Sequence, residues 1–162
     1  MSIHVSIEGG QDAQPSRNLQ VLTAYALAGE WLKAAMATTT NIRIGTENRE
    51  HQVLSIPAIV STAFAAELYL KAALLAGGDH DAEQIRRHHL GWLYDKLSEA
   101  QKVGLRSHMG VTQAAFSDFL PTVADAFVEW RYLHENVGQL INTDFLCRFA
   151  RAAQAVASQA MQ

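Results

Sequence analysis

From Pro57 to Ala76 the chain runs through one long apolar stretch whose only charges are Glu67 and Lys71. Ile59, Val60, Phe64, Leu68, Leu70, Leu74 and Leu75 occupy nearly every side of a helix drawn through it. A helix that is apolar all round belongs at the centre of a protein or in lipid, and no other feature constrains the fold as much. The two charges lie four residues apart near its middle, carboxylate first. In hydrocarbon they would be costly, so a central bundle helix explains the segment better than a membrane span. Ser55 is placed to cap it, Pro57 suits its first turn, and Gly77-Gly78 marks its end.

Helical spacing also dominates elsewhere. After a tail over residues 1–15, one domain is expected over residues 16–162. A first helix is predicted from Ser16 to Ala37, with Leu19, Leu22, Ala26, Gly29 and Leu32/Lys33 as its inward stripe. Thr38-Thr39-Thr40 ends it with poor helix formers. Residues 41–55, with Gly45 and Asn48, read as a loop of unusual length. His88–Leu97 places Leu90, Leu93, Tyr94 and Leu97 on one stripe, and Ser98 then suits the cap of a helix ending near Gly110. Thr112–Glu135 reads as helical with a break at Pro121, Asn136 and Gly138 stop it, and Thr143 is the expected cap of a last helix ending at Ala160. Several amphipathic helices joined by short connections predict an all-α, up-and-down helical bundle.

Composition narrows the function classes. Hydrophobic residues at 49% and a net charge of −3 describe a globular chain with no general attraction to phosphate backbones or anionic lipid. Cys147 is the single cysteine, which excludes an intrachain disulfide and fits a reducing compartment. Its neighbours Leu146 and Phe149 make it a packing residue. Residues 1–14 lack a basic region followed by an apolar core, so a cytoplasmic protein without membrane attachment is expected.

Two polar constellations carry the candidate chemistry. Glu67 and Lys71 form an i, i+4 pair on the apolar helix, where Glu67 is expected to accept from Arg131 or from a ligand. Arg131, His134 and Glu135 share a face of a second helix. A guanidinium there can clamp a phosphate, an imidazole can move protons near neutral pH, and Glu135 can orient either. Arg86-Arg87-His88-His89 is the one local basic patch. Asp79, His80, Asp81, His88 and His89 resemble a ligand cluster in composition, yet adjacent His88 and His89 diverge on a helix and no zinc motif supports them. No metal and no cofactor are expected. Neither a phosphate-binding glycine loop nor a nucleophile elbow occurs.

Three segments, Ala63–Leu75 with Glu67 and Lys71, His89–Leu97, and Phe127–Glu135 with Arg131 and Tyr132, resemble in order and spacing the helical signatures of the HEPN-like family. The resemblance covers roughly residues 55–160. It implies a helical bundle that dimerises, of the kind found in bacterial toxin–antitoxin, anti-phage and stress systems. It also implies a polar network built by Glu67, Lys71, His89, Arg131, Tyr132 and Glu135. Active HEPN ribonucleases carry an arginine followed by histidine with four to six residues between. No arginine in this chain has that spacing, and Arg131 with His134 is the nearest approximation.

The sequence therefore favours a non-catalytic HEPN-like binding module, homodimeric, with a partner protein or RNA or nucleotide as its counterpart. The rival reading is a metal-independent endoribonuclease in which Arg131 steadies the phosphate and His134 serves as acid and base. A third reading, a small-molecule or nucleotide sensor, needs a pocket beside the Arg86–His89 patch.

Overall fold

Ser16 opens the first helix, its Oγ accepting from the amide of Leu19 in the N-cap position. The computed structural model describes the backbone of residues 16–44, 49–131 and 141–162, and the side chains of 16–38, 55–130 and 141–162. The tail over residues 1–15 lies outside the described residues. The elements in chain order are α1 (Arg17–Ala37), β1 (Thr39–Ile44), β2 (Arg49–Leu54), α2 (Ile56–Gly77), α3 (Leu90–Lys96), α4 (Glu99–Met109), α5 (Gln113–Phe119), α6 (Ala126–Arg131) and α7 (Thr143–Ala160). A 3-10 turn over Leu120–Thr122 joins α5 to the stretch before α6, at the break expected from Pro121. The core is helical throughout, and a two-stranded hairpin is attached to it.

The hairpin corrects the long loop expected over residues 41–55. β1 pairs antiparallel with β2, from Thr39 opposite Leu54 to Ile44 opposite Arg49. Thr39, Thr40, Ile42 and Ile44 are poor helix formers because they are β-branched, and the same stiffness suits them to a strand. The residues that stop α1 thus start the hairpin. Gly45 and Asn48 lie outside the described residues.

α2 is the central element and packs against α1, α3, α6 and α7. Ser55 caps it through a hydrogen bond from the amide of Ala58, Pro57 sits in its first turn, and Gly78 closes it in the left-handed conformation at φ 88°. Arg17, the first residue of α1, reaches the end of α2 and donates to the carbonyls of Gly78 and His80 at 2.8 and 2.9 Å. This clamp fixes α1 antiparallel to α2. By length and composition α2 could cross a membrane, but most of it is buried among the other helices.

The inward stripe of α1 also needs correction. Val21, Ala28 and Ala35, seven residues apart, are the buried ones. Leu19 and Leu22 are 55% and 61% exposed. α1 is apolar on more than one side, so periodicity alone does not select the face. Small side chains let α1 lie close to α2, whose Ala58, Ala65, Ala66, Ala72 and Ala73 are themselves fully buried.

Local signals place the remaining helices. Ser98 and Gln101 form a reciprocal capping box on α4, and Gly110 ends that helix in the left-handed conformation at φ 65°. Asn142, one residue before the expected Thr143, caps α7 by accepting from the amide of Phe145. Phe145, Phe149, Ala152, Ala153 and Val156 of α7 are buried as its pattern requires.

One core group is poorly served. Tyr69 is fully buried and meets Tyr25 edge to face at 5.2 Å between ring centroids. Its hydroxyl finds no hydrogen-bond partner among the described residues. Burial, with a smaller contribution from Tyr25, pushes the phenol up to about 12. A buried hydroxyl without a partner costs about 1–3 kcal/mol, so Tyr69→Phe is expected to stabilise the fold by about 1 kcal/mol at pH 8. Because the folded state holds this proton more tightly, ionisation leaves the parent's stability unchanged below pH 10 and lowers it as the pH rises towards 12. The variant should accordingly lose less stability than the parent between pH 8 and pH 11 in urea unfolding. A less stable variant at pH 8 would mean that the hydroxyl does form a hydrogen bond.

Candidate functional site

A carboxylate in the middle of an apolar helix must be met by donors, and α2 brings its own. Lys71, one turn after Glu67, places Nζ 2.6 Å from Glu67 Oε1. The Glu67 side chain is 1% exposed and that of Lys71 is 16% exposed, so this pair is largely withdrawn from water. The second donor comes from outside the helix. His88 Nδ1 lies 3.0 Å from both Glu67 oxygens. The tautomer of His88 with a proton on Nδ1 makes this contact a hydrogen bond to Glu67. Glu67 therefore ties the segment before α3 to the centre of α2.

An aromatic strip continues from this ion cluster. The His88 ring, half exposed, lies 5.3 Å from Phe127 of α6, tilted by 37°. Phe127 stacks on Phe64 of α2 at 4.7 Å, and Phe64 meets Trp31 of α1 edge to face at 5.3 Å. Three helices and the segment before α3 thus converge around one carboxylate and one run of rings.

The neighbouring polar residues take separate partners. His89 is the N-cap of α3, with Nδ1 accepting from the amide of Trp92 at 2.9 Å. Its Nε2 lies 3.7 Å from Asp125 Oδ2, beyond hydrogen-bond length. Gly91 makes room for that ring, since a Cβ there would fall 2.9 Å from His89 Cε1. Arg87 lies over the Trp92 ring at 5.1 Å, with Lys96 against the same ring at 5.3 Å. Arg86 pairs with Glu83 in solvent at 2.6 Å. The basic run Arg86–His89 is therefore a set of four divergent side chains.

Arg131 is the last residue of α6, and its side chain lies outside the described residues, as do Tyr132, His134 and Glu135. The partners described for Glu67 are Lys71 and His88. The expected contact between Glu67 and Arg131 falls outside the described side chains. Sequence reasoning missed His88 as a partner of Glu67, and it missed the strip of Trp31, Phe64 and Phe127. Both are tertiary contacts between segments far apart in sequence. The one available signal was the unmet demand of a buried carboxylate for donors.

Among the described residues no three His, Cys, Asp or Glu side chains converge as a metal ion would require. The Cys147 thiol is raised above its ordinary range, chiefly by burial and further by Asp144, against the opposing charge of Arg151. It is a protonated packing group at neutral pH. No protein-family model matches the chain, and neither a curated protein nor a solved structure matches it.

Replacing Glu67 by Gln keeps its shape and removes the charge that holds Lys71 and His88. Breaking a buried pair in this way costs about 3 kcal/mol, read as a lower urea midpoint at unchanged slope. An unaltered midpoint would show that the cluster adds nothing to the fold. Cys147 in the native protein should react with a thiol reagent at pH 8 at least about tenfold more slowly than in the urea-unfolded chain. Equal rates would contradict the shielding of this half-buried thiol.

Proposed function

We propose that this chain is a non-catalytic binding module of the HEPN-like kind, an up-and-down bundle that works in the cytoplasm as a homodimer. Its biological setting in this reading is a bacterial toxin–antitoxin, anti-phage or stress system, with a partner protein as the counterpart. RNA or nucleotide is the alternative counterpart. The observation that carries the reading is the state of Glu67. Its carboxylate is almost wholly buried and shared between Lys71 and His88, so the strongest polar cluster described is engaged in tying the segment before α3 to α2. A group held this way supports architecture and is poorly disposed to exchange protons with a substrate.

The surface of α1 adds support for a protein partner. Leu22 and Met36 stay largely exposed, on a helix whose buried residues are Val21, Ala28 and Ala35. Large apolar side chains gathered on one element are a feature of contact surfaces. His89 caps α3, and Arg86 and Arg87 are paired with Glu83 and Trp92, which leaves the basic run without a common phosphate-facing geometry.

Incubation with structured and single-stranded RNA separates this reading from the ribonuclease. The purified protein is expected to leave RNA intact over hours, and sedimentation should give a dimer mass. Cleavage that persists in EDTA and disappears in His134→Ala would overturn the non-catalytic reading and assign Arg131 and His134 to catalysis.

A further inference from the structure

An open groove of about 460 Å³ runs between α1 and α2, and the segment before α3 also lines it. Leu19 and Leu27 form one wall and Leu68 and Leu75 the other, with Ile85 added from the segment before α3. From Leu19 to Leu27 the wall extends about 12 Å at the helical rise of 1.5 Å per residue. Its volume lies in the range that suits a small ligand. The charges in it are of one sign. Lys71 and Arg86 line it, and none of its lining residues is acidic.

We infer that this groove is a binding site for a small amphipathic carboxylate, with an alkyl or aryl body along the leucines and its head group at Lys71 and Arg86. Lys71 is the specific feature. It stands on the same stripe of α2 as Leu68 and Leu75 and lines the groove beside them, with its ammonium on Glu67. Among the described residues Glu67 takes one hydrogen bond from it, at 2.6 Å, and an ammonium has three to give. With the side chain 16% exposed, the head group must be small enough to enter between leucines. Arg86 lines the groove as well, and its contact with Glu83 is solvent-exposed and readily exchanged.

The same charges argue against a second copy of the chain as the occupant. A two-fold contact through this groove would set Lys71 and Arg86 against their own counterparts with no acidic lining residue to offset them. The inference goes beyond the interaction-module reading and stands or falls without it, because it concerns a different face and a different counterpart.

The test uses the full chain titrated with hexanoate, octanoate and decanoate below their micelle concentrations, with octan-1-ol as the uncharged control. Amide shifts in nitrogen–proton spectra report both affinity and place. Binding should saturate at one site and tighten about fourfold per added methylene. Octanoate should bind at least about tenfold more tightly than octanol, since the charge-assisted contact is lost in the alcohol. Arg86→Gln should weaken octanoate about threefold or more, and Ala24→Phe, which puts a ring into the groove, should abolish binding. If Ala24→Phe fails to fold, Arg86→Gln decides, because that side chain lies outside the core. Four results would overturn the inference: no saturation, octanol equal to octanoate, shifts confined to another surface, or binding unchanged in Arg86→Gln. Groove amides that shift on dilution alone would place a second copy there and would equally overturn it.

Discussion

An ionised carboxylate buried in a helix of alanines and leucines has to be met by donors, and the placement of Glu67 organises much of this molecule. Lys71 is supplied by the same helix, one turn on. His88 has to be brought from outside, and doing so returns the chain to the middle of α2 after the connection that follows Gly78. Once His88 is fixed, its neighbour His89 begins α3 as a cap, and the amide of Leu90 donates to the carbonyl of Ala124 just ahead of α6. α6 in turn lays Phe127 against the His88 ring. One demand for hydrogen bonds thereby sets the relative positions of α2, α3 and α6. Without its donors a charge at this depth would be strongly destabilising.

A second constraint acts between α1 and α2. The face of α1 that packs inward is the one with small residues, Ala28 and Ala35 with Val21, and it meets a helix rich in buried alanines. Close approach of two helices excludes leucine from the contact line, so Leu19, Leu22 and Leu27 stand to the sides. The groove between the helices is a direct result of that choice. Bulky residues on either flank of a narrow seam leave an apolar channel, and Lys71 at one of its edges gives the channel a polarity.

Features written in local chemistry were legible in the sequence. The caps Ser55 and Ser98, the glycines at 78 and 110, and the break at Pro121 each act through neighbours within four residues, and each element they bound was read from them. The placing of α7 slipped by one residue because Asn142 and Thr143 are both competent caps. The hairpin was missed because Thr39 and Thr40 were read for the helix they terminate and not for the strand they begin. The face of α1 was misassigned because leucines at 19 and 22 outweighed alanines in a hydrophobicity pattern, whereas packing distance favours the alanines. The partner of Glu67 was out of reach, since nothing local to His88 separates it from His89, which faces a different group.

Arg86, Arg87, His88 and His89 show most directly why charge in sequence differs from charge in space. Four adjacent basic side chains read as one patch, yet they meet Glu83, the Trp92 ring, Glu67 and the Trp92 amide respectively. Two of the four partners are carboxylates and one is an indole face, so the run projects no focused positive field toward a phosphate. Affinity for an anion depends on cations that converge and are shielded from water, because the same charge acts more strongly at low dielectric. Lys71 meets that condition better than any member of the run. Its shielding comes from Leu68 and Leu75 on its own helix and from α1 across the groove, and its charge is shared with Glu67, so what it offers a ligand is its remaining N–H donors at low dielectric.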